Sequence, residues 1–431
     1  MSTQPKYDFL LIGNSTAAVG AVEAIRSLDK TSTIGIIAHE TEHTYSRPLI
    51  TYYVSGKVTE ENTYYRPLNF YILNNVDVIL GKQVVQVNDR DSSVTLDDGV
   101  IVGYSKLLLA AGGGPIKPPV PGLDRPGVFY MNTMEDAKRA KGWLSHTQKT
   151  VVIGGGLTGL KTAEALAYMG HDVTVIEMAD RVLAMNLDPT ASGLVREAME
   201  GHGVEILTGV QLTGIEGSDD SNDVASVVLN TGEQIACETV FMTVGVKPRT
   251  EIVKGSDVKI NRGILVNRFM ETNVPGVYAA GDIAEAYDPL TGSNRVLPIL
   301  PNAYIGGRVA GLNMLGKETT YNIGMSVNSV SFFGEPFMSA GLATQPEEED
   351  YKVYTSLDGA NYRRIVVKEG KLMGLIVTGD VERAGLMTGM MRAGVPVDDM
   401  IDKLLQGHLG LIDMPKKMVM DRLQGAGRDW A

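Results

Sequence analysis

A strand, a turn of small residues and a helix occur twice in this sequence, about 140 residues apart, and that duplication constrains the fold more than any other feature. The first copy runs from apolar residues 9–12 into Gly13-Asn14-Ser15-Thr16-Ala17-Ala18 and on into a helix marked by Val19, Val22 and Ile25, with a second apolar strand at 34–37. The second copy runs from 150–153 into Gly154-Gly155-Gly156-Leu157-Thr158-Gly159, then a helix marked by Leu160, Ala163 and Leu166, then a strand at 173–177. Each is a βαβ unit of the doubly wound kind, with its turn at the carboxyl edge of a parallel sheet. Two such units imply two dinucleotides, or one dinucleotide and a structural copy.

The length, 431 residues, fits two or three domains at roughly 100–200 residues each. Apolar residues make up 44% and charged residues 21%, a globular composition, and the 49 glycines point to close backbone approaches such as phosphate loops. With 39 basic against 51 acidic side chains the net charge is −12, which argues against nucleic acid as a main partner. The single cysteine, Cys237, excludes an intrachain disulfide, a CxxC redox pair and a cysteine-ligated zinc or cluster site within the chain; it lies before Val240 in a strand-like stretch where a small core residue is expected. The six histidines show no metal-ligand spacing. Asp8, Asn14, Ser15, Thr16 and Glu23 disqualify the N-terminal apolar stretch as a secretory signal. No apolar run approaches the roughly 20 residues of a membrane helix, so the expectation is a cytoplasmic protein with no membrane partner.

In the second turn, the first glycine permits the bend, Gly156 lets the backbone meet a pyrophosphate at the helix N-terminus, and Gly159 lets helix and strand pack. Leu157 and Thr158 complete that loop. Glu177, about 20 residues on, is placed to accept from the adenosine ribose, which favours NADH over NADPH; Arg181 is the one nearby cation that blurs this preference. The first turn carries Ser15 and Ala18 where the second has glycines. Between the two units, 84–96 alternates strands and turns and ends at Asp97-Asp98-Gly99, residues 107–113 close a strand on glycines, and Pro115, Pro118, Pro119 and Pro121 mark a crossover. A return crossover lies at Gly245 and Pro248. Beyond about residue 318, strand-like stretches at 327–333, 364–367 and 372–377 precede amphipathic helices at 382–392 and 397–405, an α+β pattern. No nucleophile elbow, paired catalytic carboxylates or P-loop occurs, which leaves the chemistry to cofactors.

The segment Thr272-Asn273-Val274-Pro275-Gly276-Val277-Tyr278-Ala279-Ala280-Gly281-Asp282 presents an aspartate after small residues. Taken with the Gly13 turn, Ala110-Ala111-Gly112, the Gly154 turn and Gly245, in that order, it resembles the flavin and nicotinamide fingerprints of the pyridine nucleotide-disulfide oxidoreductase superfamily. Tyr45-Ser46-Arg47-Pro48-Leu49 is similar to the branch of rubredoxin reductases, ferredoxin reductases and nitrite reductase flavin modules, which lack a redox cysteine there.

The resemblance implies an α/β chain with two Rossmann-like domains and a C-terminal α+β domain: an FAD domain at 1–115 and 248–317, an inserted NAD domain at 116–247, and an interface or dimerisation domain at 318–431. It implies FAD held by Gly13, Ser15, Ala17, Ala18, Glu40, Arg47, Val84, Ala111, Asp282, Pro301 and Asn302, with the helix that follows Asp282 pointing its positive end at the cofactor. NADH is held by Gly154, Gly156, Leu157, Thr158, Gly159, Glu177 and Gly245. Two positions depart from the branch, Tyr52 in place of a lysine and Lys161 in place of a glutamate. Lys161 is a candidate to stabilise negative charge on reduced flavin or to orient the nicotinamide, or else a solvated surface lysine. The implied reaction is hydride transfer from NADH to flavin N5, then single electrons to a protein carrier such as a rubredoxin or ferredoxin-like iron–sulfur protein. An NADH oxidase acting on dioxygen or a small acceptor, and a non-enzymatic NADH-sensing flavoprotein of the apoptosis-inducing-factor type, are the alternatives. A homodimer is expected, and Arg363, Arg364, Lys416 and Lys417 are candidate docking cations for an acidic carrier.

Overall fold

The structure, a computed structural model, describes residues 5–218, 220–414 and 419–420. Lys416 and Lys417 therefore lie outside the described residues. Among those described, four helices reach twelve residues or more: α1 (Thr16–Leu28), α2 (Leu157–Tyr168), α3 (Pro189–Glu200) and α4 (Leu300–Met314). The chain divides into two compact units. One comprises Met1–Ile116, Asn132–Arg139 and Gly245–Met325, the other Lys117–Met131, Ala140–Val244 and Ser326–Ala431.

The first unit is built on a parallel sheet in which Val76–Leu80, Ile34–Ala38, Lys6–Ile12 and Ile101–Leu109 lie side by side, with Val277–Ala279 pairing the last of these. An antiparallel extension, Ser93–Leu96 and Val84–Asn88, continues the sheet. The inner strands are apolar on both faces because helices cover them: Leu10, Leu11, Ile36, Leu107, Leu108 and Leu109 are fully buried. Helices α1 and α4 cross at unusually close range. A Cβ on Gly307 would lie 1.9 Å from the Ala17 carbonyl oxygen, one on Gly20 2.3 Å from that of Tyr304, and one on Gly311 2.7 Å from that of Ala21. Small residues on both helices let the backbones touch.

The second unit repeats the plan with Val204–Thr208, Asp172–Glu177, Lys149–Ile153, Thr239–Met242 and Val128–Tyr130, all parallel. A three-stranded antiparallel sheet of Leu212–Gly217, Val224–Leu229 and Gln234–Ala236 closes over it through a shared core. In the same unit stands a five-stranded antiparallel sheet, ordered Val327–Phe332, Glu335–Gly341, Lys371–Thr378, Asn361–Lys368 and Lys352–Asp358, with helices Ala384–Ala393 and Ile401–Gln406. Of these five strands, Glu335–Gly341 and Lys352–Asp358 carry too little apolar alternation to be read from sequence.

Asp282 is followed by strands Ala284–Asp288 and Ser293–Arg295, and the next helix, α4, begins at Leu300. The intervening Asp288-Pro289-Leu290-Thr291-Gly292 turn makes a hairpin between those strands.

Gly307→Ala should cost about 1–3 kcal/mol of stability through overpacking and lower the thermal midpoint. Gly193→Ala, where a Cβ meets nothing within 4 Å inside α3, should raise it. Equal midpoints for the two variants would mean that the α1–α4 contact is looser than described.

Candidate functional site

In the first unit the turns after four parallel strands converge on one cleft. Of the residues the sequence singled out, Gly13, Ser15, Ala17, Glu40, Arg47, Ala111 and Asp282 line it. Gly13 has φ +109°, and a Cβ there would fall 2.2 Å from the Ala110 carbonyl oxygen, so only glycine makes this corner. The first turn of α4, the next helix in the chain after Asp282, joins the lining through Leu300 and Ala303.

Other expected residues sit elsewhere. Ala18 is fully buried behind the turn, and Val84 is buried in its strand beside Leu96. Pro301 is in the first turn of α4 but outside the lining, while Asn302 turns inward and donates to the Met325 carbonyl at 3.1 Å. Tyr52 lies in the short helix Ile50–Val54 with the Lys57 ammonium 5.8 Å over its ring, also outside the lining.

The charges in the cleft are organised around Arg47. Its guanidinium pairs with Glu40, donates to the Asn132 carbonyl at 2.5 Å and donates to the Tyr45 hydroxyl at 3.0 Å; that hydroxyl in turn donates to Glu40. Burial alone would raise the Glu40 pKa, but Arg47 and these hydrogen bonds hold it below its usual value. Glu40 is thus engaged with protein groups, and Tyr45 and Asn132, which sequence reasoning did not assign to the cleft, also line it. Asp282 has the opposite character. Burial pushes its pKa up, the Arg47 charge offsets this only in part, and no protein donor bonds its carboxylate among the described residues. A half-buried carboxylate without a donor fits a ligand that brings hydroxyls, as a ribityl chain does.

The second unit carries the other turn. Gly154 has φ +109°, and a Cβ on Gly159 would lie 1.8 Å from the Gly154 carbonyl oxygen, the close helix–strand approach that the third glycine permits. A Cβ on Gly156 would meet nothing within 4 Å, which leaves that side of the loop open for a ligand. Glu177 ends its strand against the turn, accepting from Gly155 N–H at 2.6 Å and Ala179 N–H at 2.7 Å, so the carboxylate is held in place beside the loop. Leu157 and Thr158 open α2. Arg181 donates to Asp180 at 2.8 and 3.1 Å, which offsets the one cation near Glu177. Thr243, unassigned by sequence, bonds the Ile153 and Gly154 carbonyls at 2.8 and 3.2 Å and pins the turn. Gly245, with φ +108°, belongs to the first unit, where its carbonyl accepts from Ile116 N–H at 3.0 Å.

The sequence profile of the pyridine nucleotide-disulphide oxidoreductases matches residues 7–307, more than half of the chain. The chain belongs to that family. A second profile, the rubredoxin NAD+ reductase C-terminal domain, matches 327–395. The chain is 31% identical over 388 residues to an NADH-dependent phenylglyoxylate dehydrogenase subunit epsilon from Aromatoleum evansii, covering 89% of this chain and 91% of that one. It is 31% identical to a rubredoxin-NAD(+) reductase from Pseudomonas putida, over 72% of this chain and 80% of that one. The NADH:rubredoxin oxidoreductase structure from Clostridium acetobutylicum superposes with a TM-score of 0.77 at 26% identity, covering 93% of this chain and all of that one. The family member described here is an NAD(P)H oxidoreductase whose cofactors are FAD and a nicotinamide dinucleotide.

The family name carries a disulfide that this member lacks. Cys237 is 2% exposed within the core of the second unit, and burial, with Glu238 adding to it, pushes its thiol up to about 12. The solvated-surface reading of Lys161 does not match its surroundings. Its side chain is 13% exposed; the ammonium binds Glu164 on the next turn of α2 and donates to the Ser331 carbonyl at 3.0 Å, while Glu164 also accepts from Phe333 N–H at 2.8 Å. It ties the dinucleotide helix to the antiparallel sheet. The docking role expected of Arg363 and Arg364 is likewise corrected. Arg363 is 5% exposed and bonded to Asp380, and the Arg364 guanidinium donates to the Ala343 and Gln345 carbonyls at 3.0 and 2.5 Å. Among the described residues no group of three or more His, Cys, Asp or Glu could hold a metal, and no helix is long and apolar enough to cross a membrane.

Because a thiol so raised is a poor nucleophile, the folded protein should resist alkylation by iodoacetamide near about pH 8, while the unfolded chain takes up one label; rapid labelling of the native protein would show Cys237 accessible. Lys161→Met leaves the buried Glu164 without its cation and should cost about 3–5 kcal/mol in chemical denaturation. A change below about 1 kcal/mol would show the pair to be well solvated instead.

Proposed function

We propose that this protein is an FAD-dependent NADH:acceptor oxidoreductase that passes electrons out to a separate protein carrier, a rubredoxin or ferredoxin-like iron–sulfur protein, with no thiol between. The observation that carries the reading is the pairing of two glycine corners with two differently placed carboxylates, Asp282 without a donor in the first unit and Glu177 knitted to its loop in the second. When bound, FAD would supply the chemistry of taking two electrons from NADH and releasing them singly. The chain's own groups bind and orient. The Gly13 turn and the first turns of α1 and α4 direct backbone N–H groups and helix dipoles at the anionic part of the flavin dinucleotide. Arg47 supplies a fixed positive charge in the same cleft, and Asp282 accepts from the ribityl hydroxyls. In the second unit the Gly154 turn takes the NADH pyrophosphate and Glu177 accepts from the adenosine ribose, where a 2′-phosphate would meet a like charge; this supports NADH as the preferred donor.

The carrier is supported by the missing thiol relay, since Cys237 is buried, and by the rubredoxin reductases among the relatives, whose acceptor is an electron-transfer protein. A homodimer assembled through residues 318–431 belongs to the same proposal and is checked by light scattering. Oxidation of NADH by dioxygen is the competing outcome, because an NADH oxidase from Methanocaldococcus jannaschii is also 30% identical over 72% of the chain.

Anaerobic mixing with NADH should bleach the flavin absorbance, and adding oxidised rubredoxin or ferredoxin should restore it faster than air does. Reoxidation only by dioxygen would assign the oxidase activity instead. Glu177→Ala should weaken NADH binding by roughly tenfold, about 1.4 kcal/mol, and narrow its advantage over NADPH. An unchanged NADH preference would place discrimination elsewhere.

A further inference from the structure

The five-stranded antiparallel sheet of the second unit has two edge strands, and the chain treats them differently. On Val327–Phe332 the two-residue turn Phe333-Gly334 makes Phe332 and Glu335 a hydrogen-bonded pair, so the backbone groups of Val327, Ser329 and Ser331 point away from the sheet. That edge is closed: α2 and α3 pack against it, and the Lys161 ammonium donates to the outward Ser331 carbonyl at 3.0 Å. On Lys352–Asp358 the two-residue turn Gly359-Ala360 fixes the same alternation, and the N–H and C=O groups of Val353, Thr355 and Leu357 point outward. Among the described residues none of these groups has a hydrogen-bond partner. Helix Ile401–Gln406 packs against both this strand and its neighbour Asn361–Lys368, so it lies on a face of the sheet and leaves the edge open. Open edges are commonly blunted by a proline, a bulge or a charge in mid-strand. Val353-Tyr354-Thr355-Ser356-Leu357 carries none of these, its register with Asn361–Lys368 is unbroken, and Leu357 is 57% exposed. The charges of the strand stand at its two ends and differ in sign: Lys352 and Asp358 are exposed, and neither has an ion-pair partner among the described residues.

We propose that strand Lys352–Asp358 pairs with the same strand of a second copy of this chain, antiparallel about a two-fold axis at Thr355, so that two five-stranded sheets continue as one. This rests on the homodimer reading above and gives it an interface. Only the outward residues can exchange hydrogen bonds, so self-pairing is limited to registers that set Val353, Thr355 and Leu357 against one another. Centring on Thr355 uses all of them. Thr355 meets Thr355 of the partner subunit, Val353 meets Leu357 of the partner subunit, and each pair exchanges both bonds. A slip of two residues either way leaves Val353 or Leu357 without a partner in the strand. The same register sets Lys352 directly opposite Asp358 of the partner subunit, and the symmetry repeats that pair at the other end. A lysine at one end and an aspartate at the other is what lets a strand recognise its own antiparallel copy; like charges at both ends would repel. An acidic carrier would meet Asp358 as a repulsive charge, which favours the second copy as occupant.

The test measures the dimer dissociation constant of the full chain as purified, by sedimentation velocity over a concentration series. The variants are Thr355→Pro, Lys352→Asp, Asp358→Lys, and a double variant carrying both charge reversals. Proline at Thr355 removes only an outward N–H, which an edge strand tolerates, so this variant should keep the circular dichroism of wild type and lose the dimer. Each single reversal sets like charges opposite one another and should weaken the dimer by about tenfold, while the double variant restores opposite charges and should return to within about threefold of wild type. A Thr355→Pro dimer as tight as wild type would overturn the proposal. So would a double variant that associates no better than the single ones, because recovery requires the two charges to meet across the two-fold axis. If Thr355→Pro did not fold, the charge variants would decide alone. Wild-type protein that stays monomeric throughout the series would end the homodimer reading itself, and the edge pairing with it. A wild-type dimer indifferent to every variant would keep that reading and overturn only the edge pairing.

Discussion

Everything in this chain's chemistry depends on a corner that has no room for a side chain. At Gly13 the strand must turn so sharply into α1 that a Cβ would overlap the Ala110 carbonyl of the neighbouring strand, and at Gly154 a Cβ would lie 2.7 Å from the Thr243 carbonyl oxygen. The tightness matters because it sets the helix N-terminus at the carboxyl edge of the sheet. Unpaired N–H groups and the dipole then act on whatever occupies the cleft. In the first unit the corner is held from behind as well, because Gly20, Gly307 and Gly311 bring α1 and α4 into backbone contact. Helix α1 is thus gripped between sheet and helix, with its polar end facing the cleft.

The second unit is held together by buried carboxylates rather than by small residues. Glu164 on α2 accepts from Lys161 and from the Phe333 backbone, and Asp188 at the start of α3 accepts from the Tyr362 hydroxyl at 2.5 Å with Arg364 3.8 Å away. Each joins the parallel sheet's helices to the five-stranded antiparallel sheet. Breaking such a pair leaves a charge stranded in a poorly solvated place, which is why groups of this kind specify one docking geometry. Nearby, Phe333 stacks on His202 with ring centroids 4.1 Å apart and lies 5.2 Å from Tyr168, covering the hairpin turn at the same seam. Lys161 thus takes part in joining α2 to the antiparallel sheet within the unit.

Much of this was legible in one dimension because it obeys local rules. The two glycine corners, the alternating hairpin 84–96, the apolar strands on either side of each turn and the core position of Cys237 follow from periodicity, backbone sterics and the size of a buried side chain. The position of Asp282 at the cleft was marked by the resemblance of the segment 272–282 to a flavin fingerprint. What followed it was not, since the hairpin between Asp282 and α4 depends on pairing Ala284–Asp288 with Ser293–Arg295, and short polar strands of this kind leave almost no pattern.

The sequence by itself determined the class of fold, the two dinucleotide corners, the absence of a thiol relay and the acidic residue that ends the strand after the second corner, because each is settled by residues near one another in the chain. Only the tertiary structure decided how the long side chains are spent. Glu40 is bound to Arg47, Arg181 to Asp180, Asn302 to a backbone carbonyl, and Lys161 and Arg364 to partners far away in sequence. Among the described residues it also left the Asp282 carboxylate without a hydrogen-bond donor and the Thr16 hydroxyl without a hydrogen-bond partner. A side chain's partner is set by which strands become neighbours, and that information is spread over the whole chain instead of lying beside the residue.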